Sequence, residues 1–139
     1  MNVFSADAET DGLYGPVWAI GAVALIRPRP GVGFTVAFAG QLDPDAVTDP
    51  WTREHVVPVV DLPRHDTRED LLEGFWDFWI AHRDDAVAIA DCGYPVETGL
   101  YRACVELDPE TRRYQGPFPL HELSTRLLDA GLDPRLDRR

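Results

Sequence analysis

The sequence predicts a single α/β domain whose central sheet mixes antiparallel and parallel strands. Three apolar segments separated by turns, residues 3–7, 17–26 and 34–39, come first and favour an antiparallel meander. A long helix, a short apolar strand over 86–90 and a second helix follow, and a helical crossover between strands makes their pairing parallel. We therefore expect an α/β fold with three antiparallel strands and then parallel strands, flanked by helices.

The helical segments carry recognisable start and stop signals. Thr67 can cap a helix over 66–83, with Asp70 three residues later. Residues 51–57 predict one or two helical turns that end at Pro58, and Pro95 suits the first turn of a helix that ends near residue 108. A short strand over 118–120 and a helix over 122–130 complete the prediction. The expected core faces of the two long helices comprise Leu71, Leu72, Phe75, Trp76, Trp79 and Ile80, and Val96, Leu100, Cys104 and Leu107.

The length and composition predict a single folded domain over residues 1–139. Of the 139 residues 45% are apolar and 27% are charged, which favours a globular chain over a disordered one. No stretch is apolar for long enough to span a bilayer, and no secretory signal pattern opens the chain, so the expected location is cytoplasmic. The spacing of Cys92 and Cys104 suits neither a zinc site nor a disulfide framework, and we expect two buried or half-buried thiols.

The formal net charge of −11 argues against a surface that tracks a long polyanion. All 13 basic residues are arginine, which suits phosphate contacts but also follows from a composition bias of the genome. A carboxylate site that holds a divalent metal remains attractive to phosphate even in an acidic chain.

Two acidic residues spaced one apart end the first predicted strand. If residues 3–7 form a strand, Asp7 and Glu9 share one face of the sheet edge. Two carboxylates that close repel each other and become stable partners when a hard cation such as Mg²⁺ lies between them. Asp91 ends the strand over 86–90, and the carboxyl ends of parallel strands meet at one edge of a sheet. The pattern favours a metal site, while an acidic strand end facing water explains the first two residues equally well.

These residues resemble a known family. The run Asp7-x-Glu9-Thr10-x-Gly12, the segment Ile20-Gly21-Ala22-Val23 and the pair Ala90-Asp91 are similar to motifs of the 3′-to-5′ exonucleases with four catalytic acids, the DEDD-type superfamily, which has a ribonuclease H-like fold. Trp51-x-Arg53-Glu54-x-Val56-x-Pro58 also resembles a segment of small bacterial exoribonucleases of that superfamily.

The resemblance implies roles for five residues. Asp7, Glu9 and Asp91 would be the catalytic residues and the ligands of two Mg²⁺ or Mn²⁺ ions, with Asp7 bridging the two. Thr10 and Leu13 match positions that contact the terminal nucleotide. The implied partner is the 3′ end of single-stranded or short RNA or DNA, and the sequence does not separate the two sugars.

The third motif of that family, His-x-x-x-x-Asp or Tyr-x-x-x-Asp, has no match here. Asp129, Asp133 and Asp137 lie late enough in the chain, but none follows a histidine or tyrosine at the required spacing. Two explanations compete: a domain that lacks its C-terminal helix, or a degenerate relative that keeps the fold. Without the general base, proton abstraction would lose roughly two to four orders of magnitude in rate.

Two other interpretations stay open. The chain could be a noncatalytic module that binds a nucleotide or a protein partner on the same fold, or an unrelated acidic α/β domain in which Thr10 is a turn hydroxyl and Asp91 a helix cap. A homodimer through an open sheet edge, or through an exposed part of the aromatic helix, is compatible with the sequence.

Overall fold

The structure, a computed structural model, describes residues 1–135 and contains a mixed five-stranded sheet. The strand order is β3-β2-β1-β4-β5; β2 runs antiparallel to both β1 and β3, whereas β4 runs parallel to both β1 and β5. The expected antiparallel meander followed by parallel strands is therefore confirmed. The strands are β1 Asn2–Thr10, β2 Val17–Arg29, β3 Val32–Gln41, β4 Ala86–Ala90 and β5 Leu120–Glu122.

Helices flank the sheet. Short 3₁₀ turns and one irregular turn over Gly93–Glu97 lie among them. Within residues 1–135 no helix has the length and apolar character needed to cross a membrane. The helices are α1 Pro50–His55, α2 Arg68–His82, α3 Thr98–Leu107, α4 Pro109–Arg112 and α5 Leu123–Asp129.

The core lies between one face of the sheet and the helices α2 and α3. Phe4 projects from β1 onto α2, with its ring centroid 4.9 Å from that of Trp79 and 6.3 Å from that of Phe75. Alternate residues of β1 and β2 line the same core, as the two-residue period of a strand requires. The aromatic face of α2 is core, as expected, so its buried rings are closed to a dimer partner.

The structure corrects several details of the predicted elements. Ile80 and Leu107, which the sequence analysis places on core faces, are exposed: Ile80 lies at the rim of its helix face, and Leu107 is the last residue of α3. The sequence predicts a turn over residues 27–31; β2 instead continues to Arg29, and the chain reverses at Gly31, the last residue of that range, whose φ of +76° favours glycine. The last strand begins at Leu120 rather than at residue 118, and Phe118 is fully exposed.

The cysteine prediction is half right. Cys104 is buried, and burial raises the pKa of its thiol to about 12, so the thiol stays protonated. Cys92 is exposed, contrary to the expectation, because it lies in the turn that follows β4 rather than in a packed helix. The predicted N-cap is confirmed, since the Thr67 hydroxyl accepts the Asp70 N–H at 3.1 Å.

Candidate active site

The carboxylates gather where β1 extends past the end of β4. Ser5 and Ile89 form the last parallel pair between the two strands, so the same register places Asp91 opposite Asp7. Ala6 and Ala8 are buried in the core, and strand alternation therefore sends Asp7 and Glu9 to the other face. The predicted common face of Asp7 and Glu9 follows from this register.

The three sequence-predicted acids repel one another. Desolvation by the surrounding chain, and then repulsion from Asp91, raises the pKa of Asp7; hydrogen bonds with Glu97 and from the Ala8 N–H offset this only in part. Desolvation, followed by repulsion from Asp7, also raises the pKa of Glu9. The strand end thus concentrates negative charge that a proton or a cation would relieve.

A fourth carboxyl group, which the sequence analysis did not select, belongs to the same cluster. Glu97 ends the irregular turn before α3, is only 7% exposed, and forms a side-chain hydrogen bond with Asp7. Desolvation is the main reason why the pKa of Glu97 rises to about 7, and repulsion from Asp7 adds to it. A carboxyl–carboxylate hydrogen bond requires a proton, so the two groups share one.

The sequence did contain a signal for Glu97. It precedes Leu100, Tyr101 and Cys104 by three, four and seven residues, which is the spacing of one helix face, and all three are buried. An acidic residue at a core position of a helix is rarely placed there for stability.

The Glu122 side chain of β5 and the Ser124 backbone of α5 fix the turn that carries Asp91. The Gly93 N–H donates to Glu122 Oε1 at 2.9 Å, and the Ser124 N–H donates to the Asp91 carbonyl oxygen at 3.2 Å. A Cβ on Gly93 would lie 3.3 Å from Leu120 Cδ2, so this close approach suits glycine. The last strand therefore positions Asp91, but it does not supply the fourth carboxylate that the family resemblance implies.

A second network holds the loop after β1 against α1. Asp11 accepts the Thr48 N–H at 2.9 Å, the Thr48 hydroxyl at 2.8 Å and the Asp49 N–H at 2.6 Å. Asp49 in turn caps α1 at the Thr52 N–H, and Thr52 Oγ1 accepts the Gly12 N–H at 3.2 Å. Desolvation opposes ionisation of Asp11, but the hydrogen bonds from Asp49 and Thr48 outweigh it and lower the pKa of Asp11.

This network shapes an apolar pocket beside Glu9. The pocket has a volume of about 350 Å³. Trp51 is 63% exposed there, and its ring stacks on His55 with centroids 4.7 Å apart and planes 15° apart. Both residues that the resemblance assigned to substrate, Thr10 and Leu13, line it. The other lining residues are Ala8, Glu9, Gly12, Asp49, Trp51, Thr52, Val56 and Val96.

A second pocket of about 450 Å³ adjoins the first and shares Thr10, Leu13 and Val96 with it. Exposed rings of Tyr14 and Tyr94, with centroids 6.5 Å apart, form its rim. Leu13 is 60% exposed and lines both pockets. The two spaces together offer adjacent apolar sites for flat rings next to the carboxylates.

The cluster has the oxygen donors that Mg²⁺ and Mn²⁺ prefer, and the donor chemistry therefore fits these ions. As placed, however, no group of three or more His, Cys, Asp and Glu side chains in residues 1–135 could hold a metal ion. The hydrogen bond between Asp7 and Glu97 occupies oxygen atoms that a cation would need. Metal binding would therefore require loss of the shared proton and a shift of side chains.

The late acidic residues do not join the cluster as a third motif. Asp133 pairs with Arg135 at 3.5 Å, and Asp129 lines a separate pocket with His121 and Arg126. Asp137 lies outside the described residues.

Comparisons with models of known protein families and with curated proteins find no match for this chain.

Proposed function

We propose that this chain is a metal-dependent 3′-to-5′ exonuclease that removes nucleotides from single-stranded or short RNA or DNA. The observation that carries the proposal is the meeting of Asp7, Glu9, Asp91 and Glu97 at one strand end, where the pKa of Asp7, Glu9 and Glu97 is raised. Clustered, desolvated carboxylates destabilise a fold and are more often functional than structural. The sheet, with three antiparallel strands and then two parallel ones, supports the ribonuclease H-like fold that the resemblance implies.

In this proposal Asp7, Glu9 and Asp91 hold the divalent metal, and Glu97 joins them when it loses its proton. Two bound Mg²⁺ or Mn²⁺ ions would stabilise the charge of the attacking and leaving oxygens of the phosphodiester. The chain itself supplies the fixed position of the acids, which follows from the register of β1 and β4.

The two adjoining pockets support a short, unpaired substrate end. Trp51 and Leu13 would pack against the terminal base, and Tyr14 and Tyr94 against the preceding base. Base stacking needs little positive charge, which agrees with a chain whose net charge is −11. A long duplex would need phosphate contacts along its length instead.

The second candidate function is a noncatalytic module that binds a nucleotide or a partner protein. Two observations favour it. Asp7 and Glu97 are joined by a hydrogen bond, and in the described part of the chain no group of three or more His, Cys, Asp and Glu side chains could hold a metal ion as placed. The missing His or Tyr of the third motif points the same way.

Release of labelled mononucleotides from a short 3′-labelled single-stranded RNA, and from its DNA counterpart, tests the two candidates. In Mn²⁺ we expect release of the labelled 3′-terminal nucleotide, which ceases in EDTA and is blocked by a 3′-terminal cap on the substrate. The comparison of RNA and DNA identifies the preferred sugar. Binding of both oligonucleotides without release in Mn²⁺ or Mg²⁺ would contradict the exonuclease and favour the binding module.

Trp51→Ala should weaken substrate binding with little effect on the chemical step. Loss of one stacked base costs about 1–3 kcal/mol, so we expect KM to rise about tenfold while kcat changes little. Trp51 is largely exposed, and the fold should tolerate the change. Trp51→Phe should restore most of the affinity, and Tyr114→Ala, at another exposed ring, should leave KM unchanged. An unaltered KM in Trp51→Ala would remove this pocket from the substrate path.

A further inference from the structure

Most of the sheet face opposite α2 and α3 lacks a packed layer in the described part of the chain, although its end at Ala19 is covered by the buried cluster that contains Trp18 and Val47. The uncovered aliphatic side chains are half-buried or exposed, with Val23 44% exposed, and they belong to neither buried cluster of residues 1–135. Strand alternation places them on the face that also carries Asp7. We call this surface the open face; it comprises Val3, Ser5, Gly21, Val23, Leu25, Thr35, Ala37, Ala39, Val87, Ile89 and His121.

An open face of this composition is unusual. Sheet faces that stay in water are typically polar, and sheets with parallel strands are usually covered on both sides. Between the acidic strand end at Asp7 and Arg27 at the other end, the open face carries no Asp, Glu or Arg side chain, although the chain as a whole carries a net charge of −11. The open face is therefore the part of this acidic surface where another apolar surface can approach without repulsion.

Charge of opposite sign lies at the two ends of the open face. Asp7 stands opposite Gly21 at one end. Arg27 lies at the other end, on the same face as Leu25, because Leu25 Cδ1 and Arg27 Cγ would lie 3.6 and 3.7 Å from a Cβ on Gly33. The backbone N–H of Arg27 donates to Asn2 Oδ1 at 2.7 Å. Arg27 and Arg29 are the only ionisable residues between positions 17 and 42.

We propose that a second copy of this chain covers the open face in a two-fold dimer. The two-fold axis would lie between the sheets and perpendicular to the strands, so that the strands of the two copies run in opposite directions. Gly21 and Arg27 are each three residues from Ala24. An axis that crosses β2 near Ala24 therefore places Arg27 of each copy over the acidic end of the other.

Electrostatics selects this arrangement over the alternative axis. An axis parallel to the strands would stack Asp7 on Asp7 and Arg27 on Arg27, and like charges brought together destabilise an interface. The perpendicular axis pairs opposite charges at both ends. It also brings the Arg27 guanidinium group of the partner to an edge where carboxylates dominate.

The size of the open face sets the expected strength of the dimer. Strands about 4.8 Å apart and rising about 3.3 Å per residue give a face of about 400 Å² per copy. This is below the area of about 800 Å² per partner that is typical of stable complexes, so we expect a reversible dimer that forms at high protein concentration. A nucleic acid is a poorer fit, because the residues that define the open face include no Phe, Tyr or Trp ring on which bases could stack.

Sedimentation equilibrium over micromolar to millimolar concentrations tests the dimer. The unaltered chain should shift from monomer to dimer, and Val23→Glu should remain a monomer throughout, because it would bury two carboxylates at the centre of the interface. Val23 is already exposed in one copy, so an unchanged circular dichroism spectrum should show that the variant folds. Arg27→Glu should weaken the dimer about tenfold by placing like charges at both ends.

Tyr114→Glu is the matched control, since Tyr114 is 87% exposed outside the open face, and it should dimerise normally. A chain that stays monomeric at every concentration would overturn the proposal, because a second copy would then not cover the open face. A dimer that persists in Val23→Glu would also overturn it, by placing the contact elsewhere. Both readouts are independent of nuclease activity.

Discussion

Glu97→Gln is expected to stabilise the folded chain by about 3 kcal/mol at about pH 8. In the folded chain the pKa of Glu97 is raised from 4.5 to about 7, mainly by desolvation. A tenfold change in the acid dissociation constant corresponds to about 1.4 kcal/mol between the protonated and ionised forms. Glutamine keeps the shape and can donate to Asp7 but carries no charge, so it should remove the cost of ionising this buried group.

The gain depends on pH in a direction fixed by the rise in the pKa of Glu97. A carboxyl whose pKa is raised on folding binds its proton more tightly in the folded chain, so the unaltered protein loses stability as pH rises from 4.5 to about 7. The advantage of Glu97→Gln should therefore be small below pH 4.5, grow through this interval and level off above about 7.

Urea denaturation across this pH interval measures the effect. Glu54→Gln removes the same charge from an exposed position and should change stability by less than about 0.5 kcal/mol. If Glu97→Gln were no more stable than the unaltered chain at about pH 8, burial of the Glu97 carboxylate would not destabilise the fold.

Asp7→Asn is expected to abolish both metal binding and nucleotide release. Asp7 neighbours Asp91, Glu9 and Glu97, so it is the group that all the other carboxylates share. Loss of a residue that only hydrogen-bonds to a metal ligand already costs about 10–100-fold in metal affinity or activity. Loss of the central ligand itself should cost about a hundredfold or more.

Thermal unfolding with increasing Mn²⁺ separates binding from catalysis. A metal at about 100 times its Kd stabilises a folded chain by about 2.7 kcal/mol, which should raise the Tm of the unaltered chain and leave that of Asp7→Asn unchanged. The rise should be larger above pH 7 than below it, because the metal competes with the proton on Glu97, whose pKa is about 7.

Asp84→Asn is the matched control. Asp84 is exposed and precedes β4, whereas Asp91 follows β4, so the two residues lie at opposite ends of that strand. It should respond to Mn²⁺ like the unaltered chain. An equal rise in Tm in Asp7→Asn would show that the metal binds elsewhere, and full activity in that variant would remove Asp7 from the chemistry.

The sequence predicted the strands and long helices well, because their signals are local. Thr67 caps α2 as expected, and the apolar period of α2 placed Phe75 and Trp79 in the core. Errors arose where tertiary contacts decide the outcome. Arg27 precedes a proline and resembles the start of a turn, yet pairing with β3 extends β2 beyond it.

The candidate site was predicted in part. Strand alternation is a property of the sequence, so the common face of Asp7 and Glu9 could be derived from it. The link between Asp7 and Glu97 could not, because it depends on the irregular turn over Gly93–Glu97, where Tyr94 leaves the helical conformation. The contributions of Trp51 and Tyr94 to the two pockets likewise depend on how loops that are distant in sequence pack together.

The hydrogen bonds of Asp11 hold the loop after β1 against α1, and they respond to acid differently from the carboxylate cluster. The pKa of Asp11 is lowered by its hydrogen bonds, whereas the pKa of Asp7, Glu9 and Glu97 is raised. As pH falls, Asp7, Glu9 and Glu97 therefore take up protons while Asp11 still holds the loop against α1. In the proposed exonuclease, binding of the metal would therefore be lost at a higher pH than binding of the bases in the two pockets.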